Sequence, residues 1–256
     1  MKRIYFLFFY FLMTVSLQAQ NIYSAVHLND KYDVRKEKQI KKIEISSTFY
    51  NLNGIEKKKE IIFLNDQFLI LKTERFDSEG KLIYKSENEY QSDSLIIRSR
   101  TTRKIPLIGF EVTKTSYIYD SNNYLIKIEK RDGKNQLFEV INFENNEKGD
   151  PILLIINDGE FGYEKAAYDY SNNTYSTAVY NSNDELISSE SFLKLNFDLP
   201  IKGETVNEFG DVTESKNYDY EYKYDKFGNW IKEVRYKDSG KNKVKNAEFT
   251  RKITYQ

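Results

Sequence analysis

The stretch Tyr218–Tyr236, YDYEYKYDKFGNWIKEVRY, limits what this chain can fold into more than any other. Tyr218, Tyr220, Tyr222 and Tyr224 take every second position, with Asp219, Glu221, Lys223 and Asp225 between them. A period of two puts the tyrosines on one face of a strand and the charges on the other. The following KFGN supplies a glycine for positive φ and an asparagine that tolerates a turn. Alternation resumes with Trp230, Val234 and Tyr236, so the stretch predicts a β-hairpin. Opposite charges facing one another across the pair gain about 0.2–1 kcal/mol each. That favours a register with Lys223 opposite Glu233, Glu221 opposite Arg235 and Asp219 opposite Lys237, after a connection from Lys226 to Trp230. It sets Tyr222 against Val234 and Tyr220 against Tyr236. The competing register faces Tyr224 with Trp230 and Glu221 with Glu233.

The unit recurs. FDSEGKLI at Phe76–Ile83 and YDSNNYLI at Tyr119–Ile126 share its aromatic–Asp–x–x–(Gly/Asn)–x–apolar–Ile pattern, and YNSNDELI at Tyr180–Ile187 is a weaker copy. Fainter traces lie at Phe143-Glu144 with Gly149 and at Asn207–Asp211. Turn signals from Asn53-Gly54 through Asp93 to Ser239-Gly240 recur mostly every 10–15 residues. That spacing suits strands of roughly 6–10 residues joined by tight turns. Sequential strands with short connections make an antiparallel meander. KIPLIGF (Lys104–Phe110) and FDLPIKGE (Phe197–Glu204) hold proline and glycine and are read as longer loops. PILLII at Pro151–Ile156 is apolar without alternation and is read as a strand buried on both faces. The fold class is therefore all-β: an elongated, twisted antiparallel meander of stacked hairpins, curled so that its aromatic rows are covered.

The aromatic–Asp–x–x–Gly–Asn–apolar pattern, clearest in YDKFGNWIKEVRY, resembles the YD repeats of the RHS family. The layout from Ile40 to Gln256 also looks like that of small secreted bacterial proteins carrying such repeats. The resemblance implies a spiralling antiparallel sheet and structural, non-catalytic repeat residues. In large members such repeats form shells around a toxin or extracellular stalks, and carbohydrate binding has been proposed for them. This chain is too short to enclose a domain and has no separate C-terminal effector region.

Residues 1–19 read as a signal peptide, a helix in the membrane during export. Lys2 and Arg3 start it, Ile4–Val15 is apolar, and Ala19 precedes the expected cleavage before Gln20. Ile4–Leu17 is shorter than the ~20 residues needed to span a bilayer. Residues 20–37 form a polar, loosely packed lead-in carrying His27, and 38–256 form one β domain. The expected location is secreted, in the periplasm or at the cell surface, with no membrane contact after cleavage. The chain has no cysteine, so it can hold neither a disulfide nor a lipidated cysteine. Its 39 basic and 39 acidic residues cancel, which removes the simplest argument for a nucleic-acid partner.

One histidine and no cysteine leave no His/Cys metal set, and no G-x-S-x-G, H-E-x-x-H or phosphate loop occurs. No catalytic residue and no cofactor are therefore assigned; a hydrolase would need two carboxylates meeting in a cleft. Asp77 and Glu79, Asp120 and Asn122, and Asn181, Asn183 and Glu185 offer oxygen atoms of the type calcium takes, but turn-bracing explains them as well. Tyr218, Tyr220, Tyr222 and Trp230 are the candidates for stacking on a sugar ring, with core packing as the competing role. Arg98, Arg100 and Lys104 share a strand face and, with Arg103, are the candidates for an anionic polymer. Asn172-Asn173-Thr174 marks an exposed turn. The function expected is a non-enzymatic structural or binding module, its partner a cell-surface glycan or another secreted protein. The alternatives are a carbohydrate-binding protein using exposed aromatics and an outer-membrane β-barrel, which needs an apolar band ~25 Å tall.

Overall fold

The computed structural model describes residues 21–35, 37–52, 54–92, 94–238 and 243–256. Residues 1–19, read above as a signal peptide, and the turn positions Asn53, Asp93 and Ser239-Gly240 lie outside the described residues. A short helix, α1 (Ile22–Val26), precedes a 17-stranded sheet. Its strands are β1 (Ile40–Asn51), β2 (Gly54–Leu64), β3 (Ile70–Phe76), β4 (Leu82–Gln91), β5 (Leu95–Ile105), β6 (Gly109–Tyr119), β7 (Leu125–Asp132), β8 (Leu137–Asn145) and β9 (Pro151–Ile156). They continue with β10 (Tyr163–Asp169), β11 (Thr174–Tyr180), β12 (Leu186–Lys194), β13 (Thr205–Val206), β14 (Val212–Glu214), β15 (Tyr218–Tyr224), β16 (Trp230–Asp238) and β17 (Lys243–Tyr255).

Almost every ladder joins strands consecutive in the chain, and all are antiparallel, so the expected meander of stacked hairpins is the fold. One ladder differs: β17 lies along β1, from Ile40↔Tyr255 to Phe49↔Ala247. The spatial order thus runs from β13 through β17, then from β1 to β12.

A single local device repeats through the sheet. In eight hairpins an Asp or Asn opens a five-residue turn. Its side-chain oxygen accepts from the backbone N–H groups two and four residues on, as Asp77 does from Glu79 and Lys81, and Asp225 from Phe227 and Asn229. Asn65, Asp120, Asp132, Asn146, Asn181 and Asn207 repeat the pair of bonds. The fourth turn residue has positive φ: glycine at 80, 149, 210 and 228, but Phe68, Asn123, Asn135 and Asp184 elsewhere. Each such turn is flanked by a register shift of one residue, as between Arg75 and Phe76 or between Lys223 and Tyr224. A bulge of this kind re-aims the strand after a turn with a left-handed residue.

That bulge corrects the expected register of β15 and β16. The turn is Asp225–Asn229, Tyr224 faces Trp230, and the extra residue then puts Tyr222 opposite Glu233 and Tyr220 opposite Arg235. Neither register drawn from charge pairing occurs. Glu233, Arg235, Lys237 and Asp219 meet tyrosines instead, Lys223 faces Lys232 and Glu221 faces Val234; the Arg235 guanidinium lies 4.9 Å from the Tyr218 ring centre, a contact that also stabilises the pair.

The lead-in is corrected as well. Ile22 and Ala25 are buried in one core cluster with Leu125, Ile128, Ile141, Phe143, Leu154 and Tyr175. Tyr32 and Val34 pack on the second, built on Ile40, Ile43, Ile45, Ile62, Leu64 and Phe68. The backbone N–H of Ile22 donates to Glu164 on β10 at 2.7 Å, and that of Arg35 to Asn229 beside β16 at 2.7 Å. β10 and β16 are eleven strand spacings apart in the ladder order, about 50 Å in a flat sheet. Residues 22–35, five of them helical, reach only about 35 Å. The sheet is therefore curled, and the lead-in is the layer across its concave face. Polar residues were expected to be solvated there; the alternation of Ile22, Ala25, Tyr32 and Val34 among them is what packs.

Two smaller expectations also change. Pro151–Ile156 is not buried throughout: Pro151 and Leu154 are inside, Leu153, Ile155 and Ile156 are half-buried and Ile152 is exposed. KIPLIGF is not a longer loop but the tip of the β5–β6 hairpin, which turns at Pro106–Ile108 with Leu107 at φ 68°. The connection holding FDLPIKGE is the long one, residues 195–204.

Candidate binding surfaces

The tyrosine row forms as the alternation requires. Ring centres of Tyr218, Tyr220, Tyr222 and Tyr224 follow one another at 6.0–6.5 Å along β15, and Trp230 is 6.4 Å from Tyr222. All five are partly buried. Two of the polar tips are engaged: the Tyr222 hydroxyl donates to the Val212 carbonyl at 3.0 Å, and the Tyr224 hydroxyl donates to Asp211 at 2.8 Å. Phe209 stacks on Tyr224 at 4.2 Å. The Arg251 guanidinium lies 3.3 Å from the centre of the Trp230 ring and donates to the Asp33 carbonyl of the lead-in. Burial pushes the Tyr222 hydroxyl well above its ordinary pKa. The row is thus covered by the β13–β14 turn, β17 and the lead-in. A sugar ring would have to displace Arg251 to stack on Trp230.

The basic residues of β5 lie on the opposite, convex face. Arg98, Arg100 and Lys104 point the same way along a ladder without a shift, while Arg103, also exposed, takes the other side of the strand between Tyr84 and Glu111. Register then adds cations that the sequence separates. Glu87 on β4, Arg100 on β5, Lys114 on β6 and Arg131 on β7 are direct cross-strand neighbours. Three cations in adjacent strands are mutually repulsive, at roughly 0.2–1 kcal/mol per neighbouring pair. Some are answered: Arg98 by Glu89 at 3.4 Å, Arg131 by Glu129 at 3.2 Å. Glu87 is held by Lys85 at 2.7 Å. Among the described residues, Arg100 and Lys114 have no carboxylate partner. Together with Arg98 and Arg131, and with the ion-paired Glu87 and Glu89, they line an open groove of about 430 Å³.

The comparisons with known proteins leave the family open. No family model matches the chain, and no curated protein matches it. Two solved structures are similar in outline. One is a porin-like protein from Bacteroides uniformis: 12% identity over 84% of this chain and 96% of that one, TM-score 0.29. The other is TcdB2-TccC3: 12% identity over 80% of this chain and 16% of that one, TM-score 0.28. Likenesses this loose say nothing of function.

Among the described residues, no three acidic or histidine side chains gather as a metal site. The turn acids Asp77 and Asp120 and the turn amide Asn181 spend one side-chain oxygen each on backbone N–H groups. The buried carboxylate that sequence reading missed is Glu164, whose pKa burial raises while the Ile22 N–H and Thr177 partly oppose the shift. Its partner comes from 142 residues away, so no local signal marks it. His27 is likewise structural: its ring contacts Asp30 at 2.7 Å and the Lys194 carbonyl at 3.1 Å.

Proposed function

We propose that this chain is an exported, non-enzymatic binding module of the YD-repeat kind, and that its ligand is an anionic cell-surface glycan lying across β4–β7. The single observation behind this reading is the row Arg100–Lys114–Arg131, with two of its cations lacking a carboxylate partner. Folding gains nothing from setting like charges side by side, so a ligand that neutralises them is the physical reason to keep them. The spacing supports a repeating polyanion, because neighbouring strands present one cation every ~4.8 Å along a line. The groove is open along its length, as a chain ligand requires. The covered state of Trp230 argues for this face over the aromatic one.

Calorimetric titration of the purified protein with a polyuronate, a sulfated glycan and neutral dextran tests the reading. Binding to the charged polymers that weakens with added salt is expected, and at least a tenfold loss in the Arg100→Ser/Lys114→Ser variant. Equal affinity for dextran, or a variant that binds like the wild type, would refute it. Dextran binding lost in Trp230→Ala would point to the aromatic face instead.

A further inference from the structure

The hairpin tips at the two ends of the sheet are covered to different extents. At one end lie the turns β2–β3, β6–β7, β8–β9, β13–β14 and β15–β16, all Asx-braced. The lead-in packs there: the Tyr32 N–H donates to the Phe68 carbonyl at 2.8 Å, and Asn29 accepts from the Ile96 N–H at 2.9 Å. Phe197 in the 195–204 connection joins this cover by stacking on His27 at 4.5 Å.

At the other end the polar, Asx-braced turns β3–β4, β7–β8 and β11–β12 alternate with tips that expose apolar side chains. Leu52 and Ile55 project from β1–β2, Leu107 and Ile108 from β5–β6, Phe138 from β7–β8 and Phe161 from the β9–β10 loop. Leu107 is fully exposed and Ile108 is 83% exposed. All point one way, because antiparallel pairing sends every odd-numbered hairpin of this half of the sheet to the same end. Scattered surface leucines need no explanation, but exposed apolar side chains gathered on one rim do.

We infer that this rim seats the protein on an anionic lipid bilayer surface, with the tips dipping into the interface and no strand crossing it. Two features favour a membrane over a protein partner. The tips are separate, with β1–β2 and β5–β6 about 20 Å apart, so they form no continuous groove for a protein to fill, whereas a fluid planar phase accepts points at any spacing. Cations also stand directly behind the β1–β2 and β5–β6 tips. Lys57 and Lys58 follow Ile55, and Arg103 and Lys104 precede Leu107. Lys58 is paired with Glu56 at 3.0 Å and Arg103 faces Glu111, while Lys57 and Lys104 have no carboxylate partner among the described residues. Long cationic side chains behind an apolar tip lay their stems along it and reach lipid headgroups with their charge. The rim and the convex groove are different surfaces, so this inference stands apart from the glycan reading.

Flotation of the purified protein with phosphatidylglycerol-containing vesicles and with phosphatidylcholine vesicles tests it. The wild type is expected to float with the anionic vesicles and to be released by high salt or carbonate. Leu107→Asp/Ile108→Asp should lower the bound fraction at least tenfold. Phe192→Asp, which alters an equally exposed side chain on β12 away from the rim, should float like the wild type, as should Arg100→Ser/Lys114→Ser. No flotation of the wild type, equal losses in the Leu107 and Phe192 variants, or retention through carbonate until detergent is added would each overturn the proposal. The last result would mark strands that span the bilayer.

Discussion

The aromatic corner of β15–β16 and the basic face of β5–β7 are both patches of one residue type on one side of a strand, yet they end in opposite conditions. Around Trp230 every partner is taken: Arg251 covers the ring, and Tyr222 and Tyr224 bond to the neighbouring turn. Around Arg100 the neighbour on β4, Glu87, is held by Lys85, and the neighbour on β6 is Lys114, another cation. Alternation decides which side chains share a face. Whether that face is closed or left open is decided by what the rest of the chain lays over it.

Substitutions can break this contrast. The largest effect is expected from Trp230→Ala, a loss of about 3 kcal/mol in urea unfolding, as for other aromatic truncations against packed neighbours. A loss under about 1 kcal/mol would mean that the corner is a loose surface after all. Next comes Ile22→Ala, expected to cost roughly 2–3 kcal/mol because Ile22 is fully buried among Ile128, Ile141 and Leu154. A neutral result would return the lead-in to the solvent.

Glu164 sharpens the comparison through pH. Its folded-state carboxyl is held above the ordinary range by burial, so the folded protein binds its proton more readily than the unfolded chain does. The resulting contribution to stability is complete below the unfolded pKa and is lost as pH rises through the raised one. Glu164→Gln keeps an oxygen for the Ile22 N–H and should flatten that decline, measured as thermal midpoints from acid to neutral pH. An unchanged slope would assign the pH dependence elsewhere. The smallest effect belongs to the open face: Arg100→Thr should stabilise the fold by only about 0.2–1 kcal/mol at low salt, by relieving repulsion from Lys114. Destabilisation would reveal that Arg100 holds the sheet together.

Much of the fold was legible. Tight turns in the copies at Phe76, Tyr119, Tyr180 and Tyr224 were readable because their Asp or Asn brace and a Gly, Asn or Asp at positive φ stand at fixed offsets. Two members of the set of eight, opened by Asn65 and Asp132, were legible as turns but not as copies of the unit: Phe68 takes the left-handed position in one, and a polar GKN in the other hides the pattern. The register failed for a related reason. Charge complementarity in β15 and β16 is worth fractions of a kcal/mol per pair, while the Asp225 brace dictates a bulge that moves every later residue by one. At the basic groove, Arg98 and Arg100 were legible from one strand, but Lys114 and Arg131 join them only through two further ladders.

Local chemistry in the sequence settles what is local: extended segments, braced turns, and the side of a strand on which each residue stands. Those outcomes depend on steric limits of φ and ψ and on bonds between residues a few positions apart. Tertiary structure alone placed β17 beside β1, drew residues 22–35 across the hollow of the sheet and set Arg100 beside Lys114 while Glu87 is held by Lys85. Such outcomes depend on contacts between distant segments, whose partners are chosen by the summed fit of the whole curled sheet and not by any neighbouring residue.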